Sequence, residues 1–122
     1  MKFSNSIFVR GQVPVINKLI EKPLEIKEAY KLVKFARSLS EKEADFNKAR
    51  LTVFEKYGEQ NKDGNWEIKS KKSQKEAAKE IDELLAIEEE YDLDSKIKIP
   101  ADIQLSAAEI ILLEDIIEIP GV

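Results

Sequence analysis

A run of 34 residues without glycine or proline, positions 24–57, constrains the fold of this chain more than any other feature. Pro23 precedes the run, where it fits the first turn of a helix, and Gly58 follows it, where it fits the residue just past the helix end. A helix of that length is ~50 Å long, more than a compact domain of this size needs. Apolar residues recur along the run at helical spacing, at Leu32, Phe35, Ala36, Leu39, Phe46, Ala49, Val53, Phe54 and Tyr57.

The middle of this run leaves two interpretations open. Ser40 and Glu43 have the spacing of a capping box, which would break the helix near Ser40. Neither glycine nor proline marks the position, and this favours one continuous helix. A continuous helix would have to extend as one arm of a hairpin.

A second amphipathic segment, "SQKEAAKEIDELLAIEEEYDL", supplies the other arm. Ser73 and Glu76 form a capping-box candidate at its start. Two amphipathic helices joined by a short link pack antiparallel, so the sequence predicts a helical hairpin over about 24–92 with its tip at 58–70. The predicted core of the hairpin consists of Leu32, Phe35, Leu39, Phe46, Val53, Ile81, Leu84 and Leu85.

The tip, "YGEQNKDGNW", contains the one partial chemical motif of the chain. It begins like a calcium-binding EF-hand loop, but Glu59 replaces the first aspartate and Ser70 replaces the bidentate glutamate at position twelve. The sequence therefore predicts no metal site. Asp63 and Gly64 favour a tight reversal, so a small hairpin or an ordered loop is expected.

Shorter elements are predicted on both sides of the hairpin. The stretch "VPVINKLIEK" fits a short helix after Pro14, with a strand as the alternative. "SKIKIP" alternates apolar and basic residues and predicts a short strand. Ser106 with Glu109 forms a capping box for a terminal helix over about 106–117. The fold class is thus mainly α with a small β element, in one domain over 1–122, with the strand and terminal helix at about 95–119.

The amino-acid composition excludes several classes of function. The chain has no cysteine and no histidine, which removes thiol catalysis, imidazole acid–base chemistry and the usual zinc ligands. No phosphate-binding glycine loop or nucleophile elbow occurs, and the carboxylates are too many to single out a catalytic pair. We therefore expect a protein that is not an enzyme and that binds no cofactor. No apolar run is long enough for a membrane span or a signal sequence, so we expect a soluble, cytoplasmic protein.

Charge is unevenly distributed along the chain. Residues 1–39 carry a net charge of +5, residues 40–75 carry +2 and residues 76–122 carry −11. This pattern favours segments that fold back and neutralise each other. Lys27, Lys31 and Lys34 share a helix face, but the acidic total and the missing recognition motif disfavour nucleic acid as a partner.

The terminal helix offers the best candidate partner interface. Its apolar residues cover about half of its circumference, more than one packed face requires. It is therefore either wedged into the core or exposed to another chain, including a second copy in a homo-oligomer. Trp66, at the tip, either caps the helical core or takes part in recognition. The candidate interface residues are Ile111, Leu112, Ile116, Ile119 and Trp66.

The order of several short motifs resembles a family of small proteins of unknown function encoded by tailed phages and prophages of Gram-positive bacteria. The motifs are "PLEIKEAYKL", "FNKARLTVFEKYGE", "DGNWEI", "EIDELLAIEEEYDL" and "IQLSAAEIILLEDII". The resemblance implies a helical hairpin with a small β element, a phage origin and the bacterial host cytoplasm. It implies no activity and no functional residues.

Two roles follow from the resemblance together with the composition. The first is a non-enzymatic protein-binding protein that serves virion assembly or acts as an accessory factor. The alternative is an inhibitor or modulator that binds a host enzyme or a nucleic-acid-binding protein through the acidic last third of the chain.

Overall fold

A computed structural model of the protein describes residues 1–119. The chain is mainly helical with small sheets, which confirms the predicted fold class. The helices are α1 (Gln12–Ile20), α2 (Ile26–Tyr57), α3 (Lys71–Ala86) and α4 (Ala107–Leu112), with a 3-10 helix at Asn5–Phe8. The strands are β1 (Lys2–Ser4), β2 (Glu59–Gln60), β3 (Trp66–Glu67), β4 (Glu88–Glu90), β5 (Ile97–Lys98) and β6 (Ile117–Glu118).

Helix α2 is continuous over 32 residues, so the prediction of an unbroken helix through Ser40 is confirmed. Gly58 follows its last residue, as predicted. The start differs from the prediction, because Pro23 lies three residues before Ile26 and outside the helix. The chain must first reverse after α1, and Glu25 before α2 is still extended, with φ −54° and ψ 141°.

Helix α3 packs along α2 and completes the predicted hairpin, but both of its ends were predicted wrongly. It begins at Lys71, where the Ser70 hydroxyl accepts a hydrogen bond from the Ser73 amide at 3.4 Å. Ser73 is therefore a residue of the first turn and not the cap. The helix ends at Ala86, and the acidic residues after it form strand β4 instead of a last helical turn.

The N-terminal segment explains why α3 stops early. Strand β1 pairs antiparallel with β4, and Phe3 lies opposite Glu89. Asn5, which is buried, donates its side-chain amide to the Leu84 carbonyl at 3.0 Å and its backbone N–H to the Ile87 carbonyl at 2.9 Å. These carbonyls lie at the C-terminal end of α3, where the last carbonyls of a helix lack the usual intrahelical donors, although the Leu84 carbonyl also accepts a hydrogen bond from the Ile87 amide at 3.3 Å.

The other end of the hairpin, opposite the tip, carries the remaining short elements. Helix α1 lies at the position predicted for a short helix. Strand β5 is the predicted "SKIKIP" strand, with Ile97 and Ile99 buried, and it pairs in parallel with β6. Helix α4 has six residues and not the predicted twelve, because the chain turns after Leu113 and enters β6.

The hydrophobic core lies at this end, which we call the base of the hairpin. Of the predicted core residues, Leu32, Phe35, Leu39 and Phe46 are buried, whereas Val53, Ile81, Leu84 and Leu85 are only half-buried. The reason is geometric: α1, β5, β6 and the 3-10 helix cover the base, while α2 and α3 beyond Phe46 pack mainly on each other, apart from the contact of the 3-10 helix with the C-terminal end of α3. The main core cluster is Ile7, Val15, Ile16, Leu19, Leu32, Phe35, Leu39, Tyr91, Leu93, Ile97, Ile99, Leu113, Ile116 and Ile117.

Candidate functional site

The tip is a small β-hairpin, as expected, in which β2 pairs with β3. The Asn61 side-chain oxygen accepts hydrogen bonds from the backbone N–H groups of Asp63 at 2.9 Å and Asn65 at 3.0 Å. Gly64 adopts a φ of +81°, which suits glycine. The polar side chain of Asn61 therefore holds the turn together.

The five candidate interface residues do not form one surface. Ile111 is 65% exposed on α4, and its role as an interface residue stays a prediction. Ile116 is wrong as an interface residue, because it is buried in the core after α4 has ended. Leu112 and Ile119 pack, partly buried, against the same core. Trp66 is half-buried at the tip, in a strand that pairs only with β2.

Helix α4 is held in place by a reciprocal cap. Ser106 accepts a hydrogen bond from the Glu109 amide at 3.1 Å, and the Glu109 carboxylate accepts one from the Ser106 amide at 2.9 Å. Lys18 of α1 lies 3.1 Å from the same carboxylate. The Ser106 amide and Lys18 lower the pKa of Glu109. This arrangement fixes α4 on α1 and leaves Ile111 pointing away from the core.

A larger apolar surface lies on the first two turns of α2. Ile26, Tyr30 and Val33 are 80%, 65% and 46% exposed. They are spaced at i, i+4 and i+7 and lie roughly 160° around the helix from its buried residues. We call these three residues the α2 stripe. Its spacing is visible in the sequence, but the predicted hairpin gave a role only to the opposite, packed face of α2.

Basic side chains surround the α2 stripe. Lys34 lies 5.5 Å from the centre of the Tyr30 ring and 3.4 Å from an Asp92 carboxylate oxygen. Lys27 and Arg37 form no ion pair with any residue in 1–119. The stripe is thus an exposed apolar surface flanked by two cations that form no ion pair within residues 1–119.

A second surface lies between α2 and α3, beyond the base. Two adjoining hollows of about 230 and 370 Å³ share Ala49, Leu84 and Ile87 as lining residues. Val53 extends the apolar floor towards the tip, and Ile87 is 48% exposed. We call this surface, with its floor of Ala49, Val53, Leu84 and Ile87, the arm groove.

Acidic residues dominate the rim of the arm groove. Its lining contains the carboxylates of Asp45, Glu80, Glu83 and Glu89, with Lys42 as the one cation. Lys42 lies 3.7 Å from Glu89, so these two charges compensate each other. Among the described residues Asp45 and Glu83 form no ion pair.

Glu80, like Glu89, has a cation of the same chain as its partner. The Lys56 ammonium donates to it at 3.0 Å. The hydrogen bonds of Lys56 and then of Tyr57 lower the pKa of Glu80, and the interaction with Glu80 raises the pKa of the Tyr57 hydroxyl. Glu80 is therefore paired within the hairpin, whereas Asp45 and Glu83 carry the negative charge of the groove that no cation of residues 1–119 pairs with.

Contacts between the basic first half and the acidic last third are frequent at the base. Lys18 pairs with Glu109, Lys34 with Asp92, and Lys42 with Glu89. The oppositely charged segments thus fold back on each other, as the charge distribution indicated. Lys31, one of the three lysines on the predicted basic face, is also engaged, at 3.1 Å from the buried Glu28.

Comparison with protein-family models, curated proteins and solved structures gives no match for this chain. Within residues 1–119, none of the helices combines the length and the apolar character needed to cross a membrane.

Proposed function

We propose that this protein acts without catalysis, by binding another protein chain, and that it is a phage or prophage protein that serves virion assembly or acts as an accessory factor. The observation that carries the proposal is the α2 stripe. Three large apolar side chains, on the helix face directed away from the core, are exposed where a polar surface would be expected.

The chemistry of the stripe suits protein binding. Helices that bind in grooves present apolar anchors at i, i+4 and i+7, which is the spacing of Ile26, Tyr30 and Val33. Tyrosine is among the residues that contribute most to protein interfaces. Ile111 on α4 is a separate exposed apolar position and remains a second candidate contact.

The alternative role, inhibition of a host protein through the acidic last third, has less support. Glu89, Asp92 and Glu109 each lie within 3.7 Å of a lysine of the same chain. These contacts reduce the negative charge available to a partner. The phage origin and the bacterial host cytoplasm rest on the sequence resemblance alone.

Affinity capture with a matched pair of variants tests the proposal. Tagged protein is used to capture proteins from infected bacterial cells, and the bound proteins are identified by mass spectrometry. Tyr30→Glu places a charge in the stripe without disturbing the core, so we expect it to abolish capture of the specific partner. Glu55→Gln, an exposed change elsewhere on α2, should leave capture intact.

Two results would contradict this proposal. One is capture that is the same for wild type, Tyr30→Glu and Ile111→Glu, because neither apolar position would then contribute to binding. The other is loss of capture with Glu55→Gln to the same degree, which would indicate a general effect on α2.

A further inference from the structure

The α2 stripe and the arm groove are complementary in chemistry. The stripe is apolar, with free positive charges at Lys27 and Arg37, and the groove has an apolar floor with free negative charges at Asp45 and Glu83. An amphipathic helix whose apolar face enters a hydrophobic groove and whose charges meet opposite charges at the rim is a common mode of recognition. This chain carries both halves of such an interaction.

The two surfaces also match in length. From Ile26 to Arg37 the stripe with its flanking charges covers eleven steps along α2, which is ~16 Å. The groove extends along α2 from Lys42 to Val53, also eleven steps and ~16 Å. The stripe with its flanking charges therefore fits within the length of the groove.

The stripe of one molecule cannot enter the groove of the same molecule, because both surfaces include residues of the same continuous helix, α2. They face directions that differ by roughly 150° around α2, at 100° per residue. In a symmetric dimer with antiparallel α2 helices, the stripe and the groove of each molecule would have to face the same partner, and so would have to lie on the same side of α2. In a head-to-tail contact, each molecule binds one neighbour through its stripe and another neighbour through its groove. Only this arrangement occupies both surfaces of every molecule.

We infer that this protein assembles with itself head to tail, with the α2 stripe of one copy docked in the arm groove of the next. Such a contact joins two different surfaces, so it produces a closed ring or an open filament and does not stop at a dimer. The inference rests on the proposed function, since it names a second copy of the chain as a partner of the stripe.

The contact also explains the poor burial of the hairpin beyond the base. Between Phe46 and Ala86 only Phe46 and Ala77 are buried. A third helix lying in the arm groove would cover Val53, Leu84 and Ile87 and give this part of the hairpin the third layer that it lacks. The apolar surface removed from water would stabilise the assembly.

Sedimentation velocity and light scattering over a wide range of protein concentration provide the first test. Wild type should exceed the mass of a dimer as concentration rises, and salt should weaken the assembly because it screens the rim charges. The stripe variant Tyr30→Glu and the groove variant Asp45→Lys/Glu83→Lys should each weaken association about tenfold or more. All three substituted positions are exposed, and circular dichroism checks that the helices remain intact.

Mixing the two variants gives the sharpest test. Tyr30→Glu retains a native groove, and Asp45→Lys/Glu83→Lys retains a native stripe. An equimolar mixture should therefore form a dimer and grow no further. Adding Lys27→Glu and Arg37→Glu to the groove variant should restore longer assemblies, because the charges are then exchanged on both sides of the contact. Ile111→Glu, which lies outside both surfaces, is the control and should assemble like wild type.

A wild type that stays monomeric at all concentrations overturns the inference, and so does a mixture of the variants that forms no dimer. Assembly that is lost with Ile111→Glu but kept with Tyr30→Glu would place the contact on α4 instead. The proposed function fails separately. A monomeric wild type that still captures a different protein through Tyr30 would keep that proposal and exclude self-assembly.

Discussion

Tyr91 places a hydroxyl group inside an aromatic cluster of the core. Its ring centre lies 5.5 Å from those of Phe3 and Phe35, and its side chain is 2% exposed. The hydroxyl has no hydrogen-bond partner among residues 1–119. Burial, with the nearby negative charge of Glu89, raises the pKa of Tyr91 to about 12. The folded protein therefore holds this tyrosine in its neutral form well into the alkaline range.

We expect Tyr91→Phe to leave the free energy of unfolding at neutral pH unchanged or to raise it by up to ~1 kcal/mol, because it removes an unpaired buried hydroxyl. In wild type, folding raises the pKa of the Tyr91 hydroxyl. The neutral hydroxyl therefore makes its full contribution to the free energy of unfolding below the unfolded pKa of about 10. This contribution is lost as pH rises through the folded pKa of about 12. The variant should lose less stability between these pH values.

Denaturant unfolding from neutral to alkaline pH measures both effects. Tyr30→Phe, at an exposed ring, is the control and should follow wild type over the whole range. A Tyr91→Phe variant that is destabilised by several kcal/mol at neutral pH would show that the hydroxyl has a hydrogen-bond partner after all.

At the scale of the elements, the junction between α2 and the tip depends on the small size of Gly58. A Cβ atom at this position would lie 2.8 Å from the Glu67 carbonyl oxygen and 3.0 Å from that of Phe54. Both atoms belong to the backbone and cannot rotate away. The φ of Gly58 is −127°, so the requirement for glycine here is one of space and not of backbone angle.

Gly58→Ala should lower the free energy of unfolding by about 1–3 kcal/mol, as overpacked positions do, and it should loosen the pairing of β2 with β3. Gly64→Ala is the informative comparison, because its Cβ would meet nothing within 4 Å and only the φ of +81° resists it. We expect Gly64→Ala to lower the free energy of unfolding by ~1–2 kcal/mol. Denaturant unfolding followed by Trp66 fluorescence measures both. Full pairing of β2 with β3 in Gly58→Ala would contradict the steric argument.

The elements that were predicted correctly are those with a local signal in the sequence. The uninterrupted α2 follows from one continuous stretch of sequence without glycine or proline, and the Ser106–Glu109 cap and the alternation around Ile97 each follow from a few consecutive residues. The pairing of β1 with β4 joins Lys2 to Glu90, and an acidic run carries no strand signal of its own. Backbone pairing between distant segments leaves no local pattern, so this sheet and the early end of α3 were missed.

The candidate site was predictable only in part for a related reason. The apolar circumference of the terminal helix left two possibilities open, a helix wedged into the core or one exposed to another chain, and in the structure Ile111 is exposed. The burial of Ile116 depends on where that helix ends. The α2 stripe was readable from its spacing. The arm groove was not, because the half-burial of Val53 and Leu84 follows from the lack of a third layer, which is a property of the assembled fold.

At the scale of the whole molecule, packing divides the hairpin into two parts. The base has a core built from helices and strands that are distant in sequence, while the arm beyond Phe46 has two helices in contact with each other. Regions with few buried apolar contacts open locally with a lower free energy than the core. We therefore expect the arm to open while the base remains folded.

Truncation of one leucine in each part tests this division. Leu39→Ala, in the base, should lower the free energy of unfolding by ~2–5 kcal/mol and speed amide hydrogen exchange throughout the molecule. Leu84→Ala, at a half-buried position of the arm, should lower the free energy of unfolding by about half as much, because the truncated side chain buries less apolar surface. It should speed exchange in α3 and the tip far more than in α1. The measurement is made at low protein concentration, so that self-assembly does not protect the arm. Equal acceleration of α1 and α3 by Leu84→Ala would mean that the arm and the base unfold together, and that the contact between α2 and α3 is as cooperative as the core itself.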